Sequence, residues 1–314
     1  MQSDVEAFIQ CAGFVTRPQI LSLGLDDRYI LNARRAGDLV RLGPGLYTGA
    51  WHSDLSPEDQ HIVTCKAVAT RFTDSVAFSH QSAAVLHGVA TFGLSLDQPH
   101  LTRTDTGRGR VEAGVVHHVG DLDDAHVTTV DGLPVVTPSR MVWDIATTSS
   151  IESGIVTADS ALHLGVVTEP ELEEIAGRHT RWRGARRAKV SLSRADGRAE
   201  SPGESRTRIA IADAGLPRPV PQHPIYDNQG ILVAIVDFAW PQYRHIVEFD
   251  GLLKYSHSSD LAKEKAREDA IRAAGWGVTR IIWSQLSPGV RRALTEELQR
   301  SLNESRRQFG HLVG

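Results

Sequence analysis

The chain has 314 residues, 34 Lys and Arg against 38 Asp and Glu for a formal net charge of −4, a hydrophobic fraction of 41% and two cysteines. Such a length points to two or three domains, and the charge balance excludes a surface that coats nucleic acid uniformly, so any phosphate contacts have to come from local clusters. No stretch reaches the roughly 18 apolar residues of a membrane span, MQSDVEAFIQ lacks a signal peptide's basic start and apolar run, and Cys11 and Cys65 have neither metal nor disulfide spacing; a cytoplasmic protein with no membrane partner is expected.

In chain order, residues 1–51 read as a winged helix-turn-helix DNA-binding domain. VTRPQILSLG predicts a short helix closed by Gly24, and LDDRYILNARRAG predicts a second, with Asp26 and Asp27 at its start and Gly37 past its end. Leu25, Tyr29 and Ala33, with Ile30 beside them, form an inward face. Arg28, Asn32 and Arg35 share the opposite face, where a recognition helix meets a major groove, and Arg34 completes the basic set. The Gly-rich LVRLGPGLYTG follows as the wing, with Arg41 placed for a phosphate contact.

Residues 52–195 read as a mixed α/β middle domain. AFSHQSAAVLHGVA and SRMVWDIATT predict helices, and GVVHHVG, AHVTTVDG and LPVVTP predict strands. His80, His87, His117 and His118 have no sustained metal-ligand spacing and are read as structural. Between Arg178 and Arg208 stand ten Lys and Arg against three acids, and RADGRAESPGES has the composition of a domain junction. This cluster is either a solvated linker or a phosphate-binding run.

Residues 196–314 have the clearest pattern: helix (204–214), strands (220–226, 231–238 and 245–249), helix (261–274), strand (278–283) and helix (290–306), an α-β-β-β-α-β-α order. ILVAIVDF suits a strand covered on both faces, and Val290, Leu294, Leu298 and Leu302 form a stripe that packs on a sheet. Asp237 follows six apolar residues, where a buried carboxylate is costly. Glu248 and Asp250, two apart on the next strand, point to one face, and the short AWPQYR connection makes the strands an antiparallel pair, so Asp237 meets Glu248 across it. Three acids so placed repel, and a hard divalent cation with oxygen ligands, Mg²⁺ above all, relieves the repulsion. Alternatively, Asp237 caps a turn and the other two acids face solvent. On the following helix, Ala266, Ala270 and Ala273 read as the inner face, leaving Lys263, Lys265 and Arg267 either to follow a DNA backbone or to face solvent beside Glu264 and Glu268.

ILVAIVDFAWPQYRHIVEFDG, with AESPGESRTR before it and KEKAREDAIRAAGWGVTRIIW after it, resembles the very-short-patch-repair-like branch of the PD-(D/E)XK nucleases over about residues 200–290. The resemblance implies a restriction-endonuclease-like α-β-β-β-α-β core holding Mg²⁺ or Mn²⁺. It makes Asp237 the strand aspartate, Glu248 the acid of E-x-K, and Glu204 or Glu200 the helix acid. Asp250 stands where the family has its lysine, and Lys254 either returns an ammonium or is a surface lysine; Tyr255 and His257 are in reach of the same loop. CAGFVTRPQILSLGLDDRYILNARRAGDLVRLGPGLYTG, with SHQSAAVLHGVA and GLPVVTPSRMVWDIA, resembles the AbiE-type antitoxins over about residues 5–165, which implies a DNA-binding repressor and a toxin partner.

The expected fold is therefore α/β multidomain: winged helix, mixed α/β middle and nuclease-like core. Two functions compete. One is a DNA-binding, metal-dependent endonuclease of repair or phage defence, with Glu204, Asp237, Glu248, Asp250 and Lys254 as its catalytic set. The other is an antitoxin or transcriptional regulator with an inactive nuclease fold. A middle domain that binds a toxin is a third role.

Overall fold

The computed structural model describes residues 2–72, 76–104, 108–227, 229–251 and 258–309. Its chain divides into two compact units, Met1–Thr157 with Gly165–Ser193, and Ala158–Leu164 with Arg194–Gly314. Among the described residues no helix is long and apolar enough to cross a membrane.

The first unit opens with α1 (Gln2–Ala12), β1 (Val15–Thr16), α2 (Arg17–Ser22), α3 (Asp27–Ala36), β2 (Leu39–Gly43) and β3 (Leu46–Gly49). Its three strands pair in the order β1-β3-β2. Thr16 starts α2 through a capping box with Gln19, and Asp26 starts α3 by accepting the Tyr29 N–H at 2.8 Å. Gly37 ends α3 at φ 87°, the left-handed conformation that glycine adopts without a Cβ penalty. Val5, Ile9, Val15, Ile20, Ile30, Ala33, Leu39 and Tyr47 bury together, tying the three helices to the small sheet. This is the winged-helix order expected from the sequence.

The unit continues with α4 (Pro57–Ala69), β4 (Val76–Phe78), α5 (His80–Leu86), β5 (His100–Arg103), β6 (Arg110–Glu112), β7 (Val115–Val119), β8 (Val127–Val130), β9 (Leu133–Val136), α6 (Pro138–Thr148), α7 (Ile151–His163), α8 (Glu169–Arg178) and α9 (Ala185–Ser193). The strands form one mixed sheet in the order β6-β7-β5-β4-β9-β8. Trp143 of α6 is fully buried and packs with Ile175, Ala185 and Ala188 from α8 and the start of α9. Arg140 is buried beside it, Nε lying 2.9 Å from Asp144 Oδ1, Nη1 donating to the Asp121 carbonyl and the guanidinium covering Trp182.

The second unit contains α10 (Pro202–Asp213), β10 (Val220–Tyr226), β11 (Leu232–Trp240), β12 (His245–Asp250), α11 (Ser258–Ala273), β13 (Gly277–Ile282) and α12 (Arg291–Phe309). β10, β11 and β12 pair antiparallel in turn, and β13 adds parallel to β12 after the α11 crossover. Ala210 and Ile211 of α10 bury with Leu294, Leu298 and Leu302 of α12 against Phe238, Trp240, Val247 and Ile281. A second core joins Ile271 of α11 to Ala234, Val236, Ala239 and Ile246.

Those two cores expose a feature of β11 that a simple alternation misses. Ala234 and Val236 pack with α11, yet Phe238 and Trp240, of the same parity, pack with α10 and α12. The pleat therefore changes face at Asp237, and Gln222, opposite it in the β10 register, has a left-handed φ of 49°.

Several expectations need correction. ILVAIVDF is not covered on both faces, because Ile231, Leu232 and Ile235 are each more than half exposed. Val290 lies outside the α12 stripe and is exposed. Ala266, Ala270 and Ala273 face outward, while Ile271 turns in with half-buried Glu264, Arg267 and Glu268. The arginine-rich run divides: Arg181, Arg183, Arg186 and Lys189 are exposed, as a solvated run would be, whereas its end is built into the fold, Arg194 pairing with Asp213, Arg198 with Asp196 and Arg208 with Asp159, and Arg206 donating to the Leu286 carbonyl.

Candidate nucleic-acid interface and carboxylate centre

The outward face of α3 carries Arg28, Asn32, Arg34 and Arg35, all exposed, because the opposite face is spent on Ile30, Ala33 and Tyr29 in the core. Asp27 would place negative charge at the helix entrance, but Arg17 from α2 grips it through two hydrogen bonds of 2.7 and 2.6 Å. That bond holds the Asp27 carboxyl below its ordinary value. Arg41 on β2 is exposed and donates to the Gly43 carbonyl at 3.2 Å, which fixes it against the wing. A helix bearing four exposed polar and cationic side chains, next to a wing that carries Arg41, suits a phosphate-lined groove.

In the second unit the β11–β12 ladder runs from Trp240↔His245 to Phe238↔Val247 and stops one step short of Asp237 and Glu248. Where the strands part, the Asp237 carboxylate takes over the role of a strand partner, accepting the Phe249 N–H through Oδ2 at 2.7 Å. Glu248 continues in register with β13 opposite Arg280. Glu204 comes from the first turn of α10, where Ser201 caps the helix by accepting the Glu204 N–H. Its carboxylate accepts from Ser201 Oγ, the Glu200 N–H and Gln222 Nε2. Gly203 makes this approach possible, since a Cβ there would lie 2.0 Å from the Phe249 ring.

Glu204, Asp237 and Glu248 feel one another. Burial pushes the Asp237 carboxyl up to about 7, reinforced by Glu204 and Glu248 and opposed by the Phe249 N–H and Arg267. Glu204, in the first turn of α10, is therefore the glutamate that acts on Asp237, whereas Glu200 is exposed. Asp250 is half-buried at the end of β12, opposite Ile282. Asp237, Glu248 and Asp250 do not draw their oxygens together as a metal-ready trio; among the described residues the group whose ligand atoms all fall within 4.8 Å of one another is His80, His100 and His118.

Arg267 is not free to follow a DNA backbone. Its Nη2 lies 2.6 Å from Glu248 Oε1 and donates to the Ile235 carbonyl, and Nη1 binds Glu264 at 3.2 Å. Lys263 and Lys265 are exposed, while Lys254, Tyr255 and His257 lie outside the described residues. Gln222 and Gly203 also belong to this centre, through the Glu204 carboxylate and the Phe249 ring. Local signals existed for neither, because each acts through a partner distant in sequence.

Residues 5–48, from α1 into β3, match the family model described as "Transcriptional regulator, AbiEi antitoxin". Two curated proteins of Mycobacterium tuberculosis, "Uncharacterized protein MT2308" (strain CDC 1551 / Oshkosh) and "Uncharacterized protein Rv2248" (strain ATCC 25618 / H37Rv), are each 30% identical over 158 residues, covering 50% of this chain and 58% of theirs. The chain thus spans little more than half the length of the curated relatives it matches. A solved structure, "Crystal structure of RV2827C protein from Mycobacterium tuberculosis", is similar at a TM-score of 0.40 and 16% identity, over 71% of this chain and 83% of that one.

Proposed function

We propose that this is a DNA-binding protein of the regulator or antitoxin kind, whose winged helix engages duplex DNA through α3, and whose C-terminal unit is an endonuclease centre using Mg²⁺ or Mn²⁺. The DNA-binding half is carried by one observation: Arg28, Asn32, Arg34 and Arg35 stand exposed on a helix whose other face closes the winged-helix core. The match of residues 5–48 to the AbiEi regulator family supports the same reading.

The endonuclease half rests on the parting of β11 and β12 at Asp237 and Glu248, with Glu204 beside them. Burial first, and then the negative charge of Glu204 and Glu248, disfavours ionisation of Asp237, and a hard divalent cation beside these oxygen donors would relieve that cost. Asp237 and Glu248 are the residues that would hold the ion, which when bound supplies water activation and neutralises charge on a phosphate. Phe249 fixes the Asp237 carboxylate by its N–H, and Gln222 with Ser201 fixes Glu204. Arg267 places a cation on Glu248 that the ion would compete with.

A second reading keeps the regulator or antitoxin, with a toxin partner, and a nuclease fold that does not cut. It is favoured by the Arg267–Glu248 ion pair and by Asp250 in place of the family's lysine. Supercoiled plasmid incubated with the full chain and Mg²⁺ or Mn²⁺ separates the two. Nicking that disappears in Asp237→Asn supports the endonuclease, whereas binding without cutting under either ion leaves the regulator.

A further inference from the structure

We propose that His80, His100 and His118 form a binding site for a divalent transition-metal ion of the zinc class, in the middle of the six-stranded sheet and separate from the carboxylates. The three residues come from neighbouring strands. His80 follows β4 at the start of α5, His100 opens β5, and His118 lies on β7, whose register puts it opposite Thr102. Sequence spacing gives no hint of the group, since each residue lies some twenty positions from the next. Read singly as structural, His80 and His118 in fact meet across the sheet with His100.

The geometry resembles a ligand set more than three packed rings. His100 Nδ1 lies 2.8 Å from His118 Nε2, and the His80 and His118 rings stack at 3.7 Å. Nitrogens sharing a tetrahedral ion at about 2.0–2.1 Å stand about 3.3 Å apart, so the first pair needs to open by only about half an ångström. Parallel rings cannot both contain one ion in their planes, so His80 or His118 turns about χ2 as the ion enters. His80 also keeps a left-handed φ of 51°, an unfavourable backbone for a side chain with a Cβ.

All three rings are held neutral, the state in which imidazole donates a lone pair. Burial, reinforced by the neighbouring histidines, takes His100 down to about 3 and His118 to about 4, and lowers His80 well below its ordinary value. Outer partners are in place as well. Ser79 Oγ lies 3.0 Å from His80 Nδ1, and the Gln81 amide lies 2.8 Å from His100 Nε2. With the amide nitrogen toward Nε2, the His100 proton sits on Nδ1 and bridges to His118. Half a turn of that amide gives up its 3.1 Å hydrogen bond to the Ser95 carbonyl, presents its oxygen to Nε2 instead, moves the proton there and frees Nδ1 for the ion. Arg140, itself paired with Asp144, adds a positive field at His80 that also favours the neutral ring.

Three imidazoles and no carboxylate select zinc-class ions over Mg²⁺ and leave a fourth position for water or an outside ligand. The test is titration of the metal-free full chain with Co²⁺, read by its visible absorption, and with Zn²⁺ in competition with a chromogenic chelator. The equivalent that carries the visible Co²⁺ band is expected to bind with equal affinity in the wild-type protein and in Asp237→Asn. His118→Asn should weaken binding beyond the roughly 10- to 100-fold that loss of an outer partner causes, and Gln81→Leu should weaken it by about 10-fold. If His118→Asn fails to fold by circular dichroism, the wild-type titration and Gln81→Leu decide. A wild-type chain that shows no saturable Co²⁺ band, or a folded His118→Asn that binds as wild type, overturns the site.

Discussion

Arg267 Nη2 lies 2.6 Å from Glu248 Oε1, so the carboxylate that ends the β11–β12 ladder already carries a cation from α11. Glu248 is nearly buried, and removing its partner leaves a charge with poor solvation. Arg267→Gln is expected to destabilise the protein by about 1–3 kcal/mol, measured by urea unfolding. The double variant Arg267→Gln/Glu248→Gln should recover part of it. Additive losses would show that the two side chains are not coupled.

Asp237 supplies a pH dependence of definite sign. Its carboxyl titrates at about 7 in the fold against 3.8 as its ordinary value, so between those values the folded state holds a proton that the unfolded chain releases. Stability therefore falls as pH rises from about 4 through 7, unlike that of a paired carboxylate. Asp237→Asn should melt higher than wild type at pH 8, and the difference should shrink towards pH 4. Thermal melts across this range check it, and a variant that melts lower at pH 8 contradicts the assignment.

Arg140 and Asp144 are both almost fully buried, at 1% and 2% exposure. Even with that cation beside it, burial pushes Asp144 up to about 6. Arg140→Ala removes the compensating charge, the bond to the Asp121 carbonyl and the cover over Trp182, and is expected to cost about 3–5 kcal/mol. Because Asp144 would then rise further, the loss should be greater at pH 8 than at pH 5. Denaturation at the two values measures it.

Much of this was legible in the sequence where a local rule and the tertiary structure agree. α3 was readable because Asp26, Gly37 and the Tyr29, Ile30 and Ala33 face all say the same thing. Asp237 was conspicuous because an acid at the end of an apolar strand has to be explained. The orientation of α11 was not readable, since alanine fits either face and Ile271 with the Arg267 ion pairs decides the matter. Nor was the face change at Asp237, which coincides with the backbone of Gln222 on another strand. The histidine group was invisible for the same reason, because only the sheet order brings its members together.

The most direct test of DNA binding is a fluorescence anisotropy titration of a mixed-sequence duplex with the full chain at several salt concentrations, comparing wild type with Arg28→Ala/Arg35→Ala. Wild-type affinity should fall linearly in log–log form with salt, and the double variant should bind more weakly with a slope reduced by about 2, roughly one for each lost phosphate contact. Equal affinity and equal slope in the two proteins, or no binding by wild type at low salt, would contradict the assignment of α3 as the DNA-reading helix.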